Sequence, residues 1–386
     1  MQHRTEDDVP PLFGHLLSEL EDGIRMREIG YSRARWPAMV WRSAARGDRQ
    51  GWRTGRSTMG ESHNELIESV IRLRGVLRET PVVQLRHPAV DLFVKLEYCN
   101  VAGSLKDRPA YTILRAAIER RQVDRDTVIV ESSSGNFALA LAIFCKMLRL
   151  RFIPVIDPNI LPPVEARLRA LCERVVKVTE PDEAGGFLRT RLATVKALCA
   201  SLPRSYWPNQ YGNPEGMRAH YELTGREICE AVPQLDHVFI GVSSGGTISG
   251  VSQRVKERCP GAKVIAVDAE GSVIFGGEPR RRRIPGIGAS IVPPLLREAR
   301  IDDVVVVGEV ETVAACHALL RDHHLFLGGS SGSCYAAVQR YFSGAPTRAR
   351  PKVLFLAADR GTAYSGTIYS EEWSGGFSEV NACNSL

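Results

Sequence analysis

Residues 241–247 carry two overlapping motifs that imply different chemistry. Gly241-Val242-Ser243-Ser244-Gly245 fits G-x-S-x-G, the strand-to-helix turn that presents a nucleophilic serine in hydrolases. The overlapping run 243–247 (SSGGT) is also typical of a loop whose backbone N–H groups hold a phosphate at a helix N terminus. The first interpretation makes Ser243 a nucleophile, whereas the second makes the same loop a ligand for an anion.

A lysine at the start of a predicted helix is the second chemical candidate. Lys106 lies in the run 100–109 (NVAGSLKDRP), whose Pro109 is tolerated in a first helical turn. The positive end of the helix dipole and the neighbouring Arg108 both disfavour the ammonium form of Lys106. Lysines with a lowered pKa readily form Schiff bases with carbonyl groups. From this loop alone, an exposed charge at the helix end is the alternative.

Two further loops combine serine and glycine where an apolar strand precedes a helix. They are residues 131–137 (ESSSGNF) and residues 327–333 (LGGSSGS). Several N–H and O–H donors at a helix N terminus favour binding of a carboxylate or another anion. Serine and asparagine are also common N-caps, so a structural role stays open for each loop taken alone.

Alternating strands and helices position these four loops. Short apolar or β-branched runs predict strands at 92–98, 127–131, 151–156, 175–179, 237–242, 263–268, 303–308 and 352–357. Near-continuous apolar strands separated by helices indicate an α/β architecture with parallel sheets. Ligands in such folds bind where strands end and helices begin, which is where the loops lie. Turn residues at 205–216 predict a crossing between two domains.

The composition restricts the class of protein. The chain has 386 residues, of which 44% are hydrophobic and 24% charged, as expected of a globular protein of about two domains. Its longest apolar run, 137–145, is far shorter than the ~20 residues that span a bilayer. Nine cysteines without a C-x-x-C pair and nine dispersed histidines argue against disulfides and metal sites. We therefore expect a cytoplasmic protein without a membrane partner.

Residues 1–58 differ from the rest of the chain. The net charge is +6, yet nine arginines between Gly23 and Gly60 are opposed only by Glu28 and Asp48. The remaining residues are therefore close to neutral, and no nucleic-acid partner is expected of them. We predict that residues 1–58 form a poorly ordered Arg-rich extension. A nucleic-acid-binding arm and a true translation start at Met59 are the alternatives.

In this order, the four loops resemble the fold-type-II pyridoxal-phosphate (PLP) enzymes of the cysteine synthase/cystathionine beta-synthase family. The resemblance runs from Thr80-Pro81 to Tyr364 and includes Lys95-Leu96-Glu97 and Gly286-Ile287-Gly288. It implies a homodimer and two parallel-sheet α/β domains of the tryptophan synthase beta-like kind. The implied divisions are 59–99 plus 210–373 (large PLP-binding domain), 100–209 (smaller mobile substrate domain) and 374–386 (tail).

The resemblance also implies a role for each loop. Lys106 would form the Schiff base and act as general base at the substrate Cα, Asn136 would hydrogen-bond the cofactor's ring hydroxyl, and Ser330 would face the pyridine nitrogen. The cofactor phosphate would be held by Ser244, Gly245, Gly246 and Thr247. The α-carboxylate of the substrate would be bound by Ser132, Ser133, Ser134, Gly135 and Asn136. A neutral serine at the ring nitrogen favours expulsion of a β-leaving group over transamination.

Three segments resemble a narrower branch, the N-(2-amino-2-carboxyethyl)-L-glutamate synthases of 2,3-diaminopropionate biosynthesis. They are ESSSGN at 131–136, DAEGSVIFGG at 268–277, and the segment 359–373. This branch implies that O-phospho-L-serine is joined to the amine of L-glutamate with release of phosphate, for siderophore or peptide-antibiotic assembly.

Two anionic substrates would require cations or other donors near the site. Arg191, Tyr211 and Ser244 are the candidates for binding glutamate, and the run Arg280-Arg281-Arg282-Arg283 is the candidate for a mobile lid that senses the phosphate of O-phosphoserine. A cysteine synthase that uses sulfide is the nearest alternative. A serine hydrolase using Ser243, with Asp302 and either His323 or His324, is the more distant one.

Overall fold

The computed structural model describes residues 63–182, 186–344 and 350–374. The extension predicted for 1–58 therefore lies outside the described residues, as does the predicted tail apart from Ser374.

Ten strands form two sheets. They are β1 (Val82–Leu85), β2 (Asp91–Leu96), β3 (Val128–Ser132), β4 (Arg151–Ile156), β5 (Val176–Lys177), β6 (Ser205–Tyr206), β7 (His237–Gly241), β8 (Lys263–Ala269), β9 (Asp303–Val307) and β10 (Lys352–Ala357). The larger sheet has the order β1-β2-β10-β7-β8-β9, and the smaller has the order β5-β4-β3-β6. Every neighbouring pair is parallel except β1 and β2. The α/β class with parallel sheets is confirmed.

Helices pack against both sheets. They are α1 (His63–Leu73), α2 (Asp107–Glu119), α3 (Asn136–Met147), α4 (Pro162–Leu171), α5 (Leu188–Ser201), α6 (Pro214–Ala219), α7 (Arg226–Ala231), α8 (Gly246–Arg258), α9 (Glu309–His323) and α10 (Gly329–Tyr341). Because helices cover the sheet faces, central strands are buried on both sides, and all five residues of β3 are buried. This double burial is why the strands are visible in the sequence as continuous apolar runs.

All eight predicted strands are present, and two further strands were missed. β1 is an antiparallel edge strand with no fully buried residue, so its sequence carries no long apolar run. β6 has two residues, pairs with β3 and lies inside the segment predicted as a domain crossing. A strand of two residues is too short to show a period of two. The predicted domain boundaries at 99/100 and 209/210 stay a prediction.

A buried cluster of charges ties the first turn of α2 to the larger sheet. Arg108 donates to Glu97 (Nε to Oε2, 2.6 Å) and to Glu227 (Nη1 to Oε1, 2.7 Å). Lys95 Nζ lies 2.8 Å from Glu227 Oε2, so two cations face two carboxylates. All four side chains are buried, where such pairs tolerate little displacement. The cluster therefore fixes the backbone two residues beyond Lys106.

The described residues show no sign of a metal centre or disulfide. The eight cysteines in the described part of the chain are free thiols, and no group of three or more His, Cys, Asp or Glu side chains there could hold a metal ion. None of the described helices combines the length and apolar character needed to cross a bilayer.

Candidate active site

One large cavity receives the N-terminal ends of four helices. Its volume is about 870 Å³, and its wall includes Lys106, Asn136, Arg191, Tyr211, Ser244 and Ser330. These residues come from the starts of α2, α3, α8 and α10, from α5 and from the 205–216 segment. The parallel strands bring their carboxyl ends to one edge of each sheet, where the loops before α2, α3 and α8 follow β2, β3 and β7. The prediction that a strand precedes residues 328–333 is wrong, because that loop follows α9 and Leu327 forms only an isolated bridge with Arg360.

Lys106 lies immediately before α2 and reaches into this cavity. Its backbone N–H donates to Ser104 Oγ (3.2 Å), and the preceding Leu105 N–H donates to the carbonyl of Ala358 (2.9 Å). Burial lowers the pKa of Lys106 to about 8, and the negative charge of Asp359 opposes that shift. A neutral amine is therefore accessible to Lys106 near physiological pH, as nucleophilic and base chemistry requires.

Asp359 is a buried carboxylate that orients Asn136. Asn136 Nδ2 donates to Asp359 Oδ2 (2.7 Å), and the Tyr364 hydroxyl donates to the same oxygen (2.8 Å). The other oxygen, Oδ1, is buried without a hydrogen-bond partner among the described residues. Burial raises the pKa of Asp359, and the Asn136 and Tyr364 hydrogen bonds act against this shift. The contact fixes the side-chain amide of Asn136 at the cavity wall.

The loop that precedes α3 is built around two serine hydroxyls. Ser133 Oγ accepts from the backbone N–H of Ala138 (3.2 Å), as a cap does. Ser134 Oγ accepts from the backbone N–H of Asp157 (3.0 Å) and from Arg191 Nη1 (3.3 Å). Arg191 Nε also lies 3.0 Å from Asp157 Oδ2 in an ion pair. The charge of Arg191 is thus already opposed by a carboxylate within the protein.

Tyr211 completes this side of the cavity. Its hydroxyl lies beside Arg191, which acts to lower the pKa of Tyr211, but burial dominates and raises that pKa. The phenol is therefore neutral at physiological pH and can donate a hydrogen bond to an anion.

The loop before α8 has the geometry of an anion cradle. Gly245 adopts φ +83°, and a Cβ at this position would lie 2.9 Å from the backbone nitrogen of Leu296. Both facts require glycine there. The 13-residue helix α8 begins at Gly246, so the unpaired N–H groups of its first turn lie at the cavity.

Ser243 makes a structural contact in this turn and has no catalytic partner among the residues that the structure describes. Its hydroxyl donates to the carbonyl of Gly288 (3.1 Å). Asp302 instead pairs with Lys256 (2.7 Å), and His323 Nε2 lies 3.2 Å from the Tyr335 hydroxyl. Across the described residues, no hydrogen bond joins Ser243 to Asp302, His323 or His324. The serine-hydrolase interpretation is therefore not supported by the geometry.

Comparison with known proteins assigns the chain to a family. A family profile described as pyridoxal-phosphate dependent enzyme matches residues 73–359. The chain belongs to the PLP-dependent enzymes. A protein of Ralstonia nicotianae (strain ATCC BAA-1114 / GMI1000) named N-(2-amino-2-carboxyethyl)-L-glutamate synthase is 42% identical over 300 residues, which cover 76% of this chain and 88% of the relative.

Solved structures of PLP enzymes share the fold. An O-acetylserine dependent cystathionine beta-synthase from Helicobacter pylori superposes with a TM-score of 0.72 at 28% identity, covering 77% of this chain and 98% of the other. An O-ureido-L-serine synthase superposes with a TM-score of 0.68 at 26% identity, covering 78% and 93% respectively. The fold-type-II architecture expected from the sequence is confirmed.

The residues around the cavity fit PLP. Lys106 offers an amine with a lowered pKa, and the turn at Gly245, where a Cβ would clash with the backbone of Leu296, leads into the N–H groups at the start of α8. Asn136 and the neutral Ser330 line the same cavity as Lys106. The aldehyde of PLP would meet the amine of Lys106, and its phosphate would meet the N–H groups at the start of α8. The polar substituents of its ring would meet Asn136 and Ser330.

The structure places most of the predicted site residues at this cavity. Besides the six wall residues already named, they include Ser133, Ser134, Gly135, Gly245 and Thr247. Gly246 lies at a small hollow next to it, together with Lys106, Ser244 and Thr247. Ser132 is not part of the cavity wall, because its side chain is fully buried. Its hydroxyl has no hydrogen-bond partner among the described residues.

Sequence reasoning assigned no role to Asp157, Asp359 or Arg282 individually. Asp157 directly follows β4, and Asp359 follows β10 by two residues. The carboxyl end of a parallel strand is where functional side chains collect, so this position was the available signal. The contacts of the two aspartates with Arg191 and Asn136 depend on the packing of distant segments.

Proposed function

We propose that this PLP enzyme joins O-phospho-L-serine to the amine of L-glutamate by β-replacement, which releases phosphate and gives N-(2-amino-2-carboxyethyl)-L-glutamate. The observation that carries the proposal is the 42% identity, over 76% of the chain, to a relative with that product in its name. The cavity supports it, because its wall carries Lys106, Arg191 and Arg280 to Arg283, and both substrates are anions.

Lys106 is the group we assign to proton transfer. When bound, the cofactor supplies the electron sink that allows a proton to leave the Cα atom of an amino acid. Lys106 lies at the cavity, and its pKa of about 8 matches a base that accepts this proton and later returns it. The hydroxyl and N–H groups of residues 133–136 would bind the α-carboxylate of the donor, which fixes the direction of its Cα–H bond.

Arg191 and Tyr211 are the residues we assign to the acceptor glutamate. Their side chains lie together, and Arg191 is held by Asp157 and Ser134. A guanidinium held in this way still presents N–H groups in a fixed plane, as a carboxylate requires. The phenol of Tyr211 adds a neutral donor beside it.

Product analysis of the purified protein tests this proposal. Protein loaded with PLP is incubated with O-phospho-L-serine and L-glutamate, and mass spectrometry and a phosphate assay follow the products. We expect one phosphate released for each adduct formed, and no reaction in Lys106→Ala. Turnover with sulfide in place of glutamate, with no adduct from glutamate, would identify a cysteine synthase instead.

The biological setting is part of the same proposal. A product of this kind is a precursor for 2,3-diaminopropionate, and we place the enzyme in siderophore or peptide-antibiotic assembly. We also propose a homodimer located in the cytoplasm, which the family resemblance and the scattered free thiols support. Sedimentation of the purified protein tests the dimer.

A further inference from the structure

Arg282 is a half-buried cation on the cavity wall with no ion pair to any residue that the structure describes. Its Nη2 donates to Ser290 Oγ (3.3 Å), and its Nη1 donates to the carbonyl of Gly271. Within the described residues, no carboxylate lies within ion-pair distance of this guanidinium. Burial lowers the pKa of Arg282, and the more distant charges of Asp268 and Glu309 only oppose that shift. Partly buried charges are normally paired, so this one calls for an anionic ligand.

The backbone around Arg282 fixes where its guanidinium lies. Its Cδ and Nε pack over Gly288, where a Cβ would lie 3.2 Å from each of them, and Gly288 has φ +73°. The N–H of Gly288 donates to the carbonyl of Val242 (2.7 Å), and its carbonyl accepts from Ser243. Arg282 is thereby held against the loop that precedes α8.

Arg282 lines the same cavity as Tyr211 and Arg191, the residues assigned to glutamate. Tyr211 is near enough to influence the pKa of Arg282, and Ser290 lies beside Gly186 at the start of the segment that leads into α5. Arg282 and Ser290 therefore line the same cavity as Tyr211 and Arg191, and the guanidinium of Arg282 is hydrogen-bonded to Ser290.

The other arginines of the cavity are either paired with a carboxylate or exposed to solvent, unlike Arg282. Arg191 is paired with Asp157, so it adds little net charge to the space. Arg280, Arg281 and Arg283 are exposed to solvent, where screening weakens their attraction for an anion. Arg282 is therefore the cation best placed to bind the most highly charged group of the substrates, which is the phosphate of the donor.

We propose that Arg282, together with Ser290, binds the phosphate group of O-phospho-L-serine and holds it as the Cβ–O bond breaks. This inference rests on the proposed function. In this reaction the Cα proton passes to Lys106, the electron pair of the Cα–H bond forms a Cα=Cβ bond, and both electrons of the Cβ–O bond leave with the phosphate oxygen. The amine of glutamate then bonds to Cβ and loses a proton, and Lys106 returns a proton to Cα. A guanidinium stabilises the charge that the leaving oxygen gains. Arg282 thus selects a phosphorylated donor over an O-acetylated one.

Substitution of Arg282 tests the inference with a binding readout and a kinetic one. For protein loaded with PLP, calorimetry measures the affinity for inorganic phosphate, and kinetics give KM for O-phospho-L-serine and for glutamate. We expect Arg282→Gln to weaken phosphate binding and to raise KM for the donor by about 10- to 100-fold, the usual effect of losing a charged hydrogen bond. KM for glutamate should change by less than about twofold, because Arg191 and Tyr211 are the residues assigned to glutamate.

Two further variants control for folding and for general charge. Arg282→Lys keeps the charge and should recover part of the affinity, while Arg281→Gln removes one exposed charge from the same run and should have a much smaller effect. The absorbance of bound PLP reports whether each variant is folded and loaded.

The outcomes separate this inference from the proposed function. Unchanged phosphate affinity in Arg282→Gln, or a rise in KM for glutamate alone, would overturn the assignment even if the protein makes the glutamate adduct. Conversely, a protein that makes no adduct but binds phosphate in an Arg282-dependent way would refute the proposed acceptor and support the phosphate site. Phosphate bound equally well by all variants would indicate an adventitious ion only, and the inference would fail.

Discussion

The chemistry of Lys106 depends on an amine that is neutral far more often than an ordinary lysine. With a pKa of about 8 instead of 10.5, about a tenth of the Lys106 amines are neutral at pH 7, compared with about 0.03% for an unperturbed side chain. In PLP-free protein this predicts a reaction with amine reagents that is about 300-fold faster per lysine at pH 7, at equal access and intrinsic nucleophilicity.

Reductive methylation measured against pH tests this value directly. The PLP-free protein is treated briefly with labelled formaldehyde and a mild reductant at a series of pH values, and mass spectrometry quantifies the peptide that contains Lys106. We expect a midpoint near pH 8 in the folded protein. The same peptide from protein unfolded in guanidinium chloride provides the matched control, with a midpoint near the ordinary value of about 10.4.

A second variant tests the physical cause of the shift. Asp359 is the negative charge that opposes the lowering, so Asp359→Asn should move the Lys106 midpoint further down. The substitution keeps a side-chain oxygen that can accept from Asn136 and Tyr364. A folded-state midpoint above about 9.5 would refute the argument from burial, and an upward shift in Asp359→Asn would refute the electrostatic part of it.

Three further predictions concern the elements that support the site. Gly245→Ala should weaken PLP binding at least about tenfold, measured by absorbance titration, because φ +83° strains any Cβ. Arg108→Met should lower the free energy of unfolding by about 3–5 kcal/mol in urea, because it leaves Glu97 and Glu227 buried with Lys95 alone. The folded pKa of Lys106 lies below its unfolded value, so PLP-free protein should gain stability as pH rises from about 8 to 10.5, and Lys106→Met should abolish that gain.

The sequence predicted the parts of this molecule that depend on local pattern. Strands such as β3 and β8 are buried on both faces, so their apolar runs were visible without any partner being known. The loops before α3 and α8 were recognisable because each sets small polar residues between such a strand and a helix. The loop before α10 was recognised from its Gly-Ser run alone, since the strand expected before it is replaced by α9 and an isolated bridge at Leu327. Lys106 stood out as a lysine placed at a helix start.

What depends on packing could not be predicted in the same way. Asn136 and Asp359 are 223 residues apart, and only the assembled sheets bring their side chains into contact. Arg191 had the pattern of a solvated helix residue, and its pairing with Asp157 follows from how α5 packs beside β4. Within the run of four arginines, the sequence gives no sign that Arg282 alone is folded over Gly288.

The charges of the cavity suit the 241–247 loop to an anion better than to a nucleophilic serine. The carboxylates that line the cavity contact other groups, Asp157 with Arg191 and Asp359 with Asn136 and Tyr364, and no histidine of the described residues lines the cavity to serve Ser243 as a base. The charges of Lys106 and Arg282, by contrast, have no partner carboxylate within ion-pair distance among the described residues. Together with the N–H groups at the start of α8, they give the cavity a positive potential. Such a potential would stabilise a protonated catalytic histidine poorly, but it favours a phosphate-bearing cofactor and anionic amino acids.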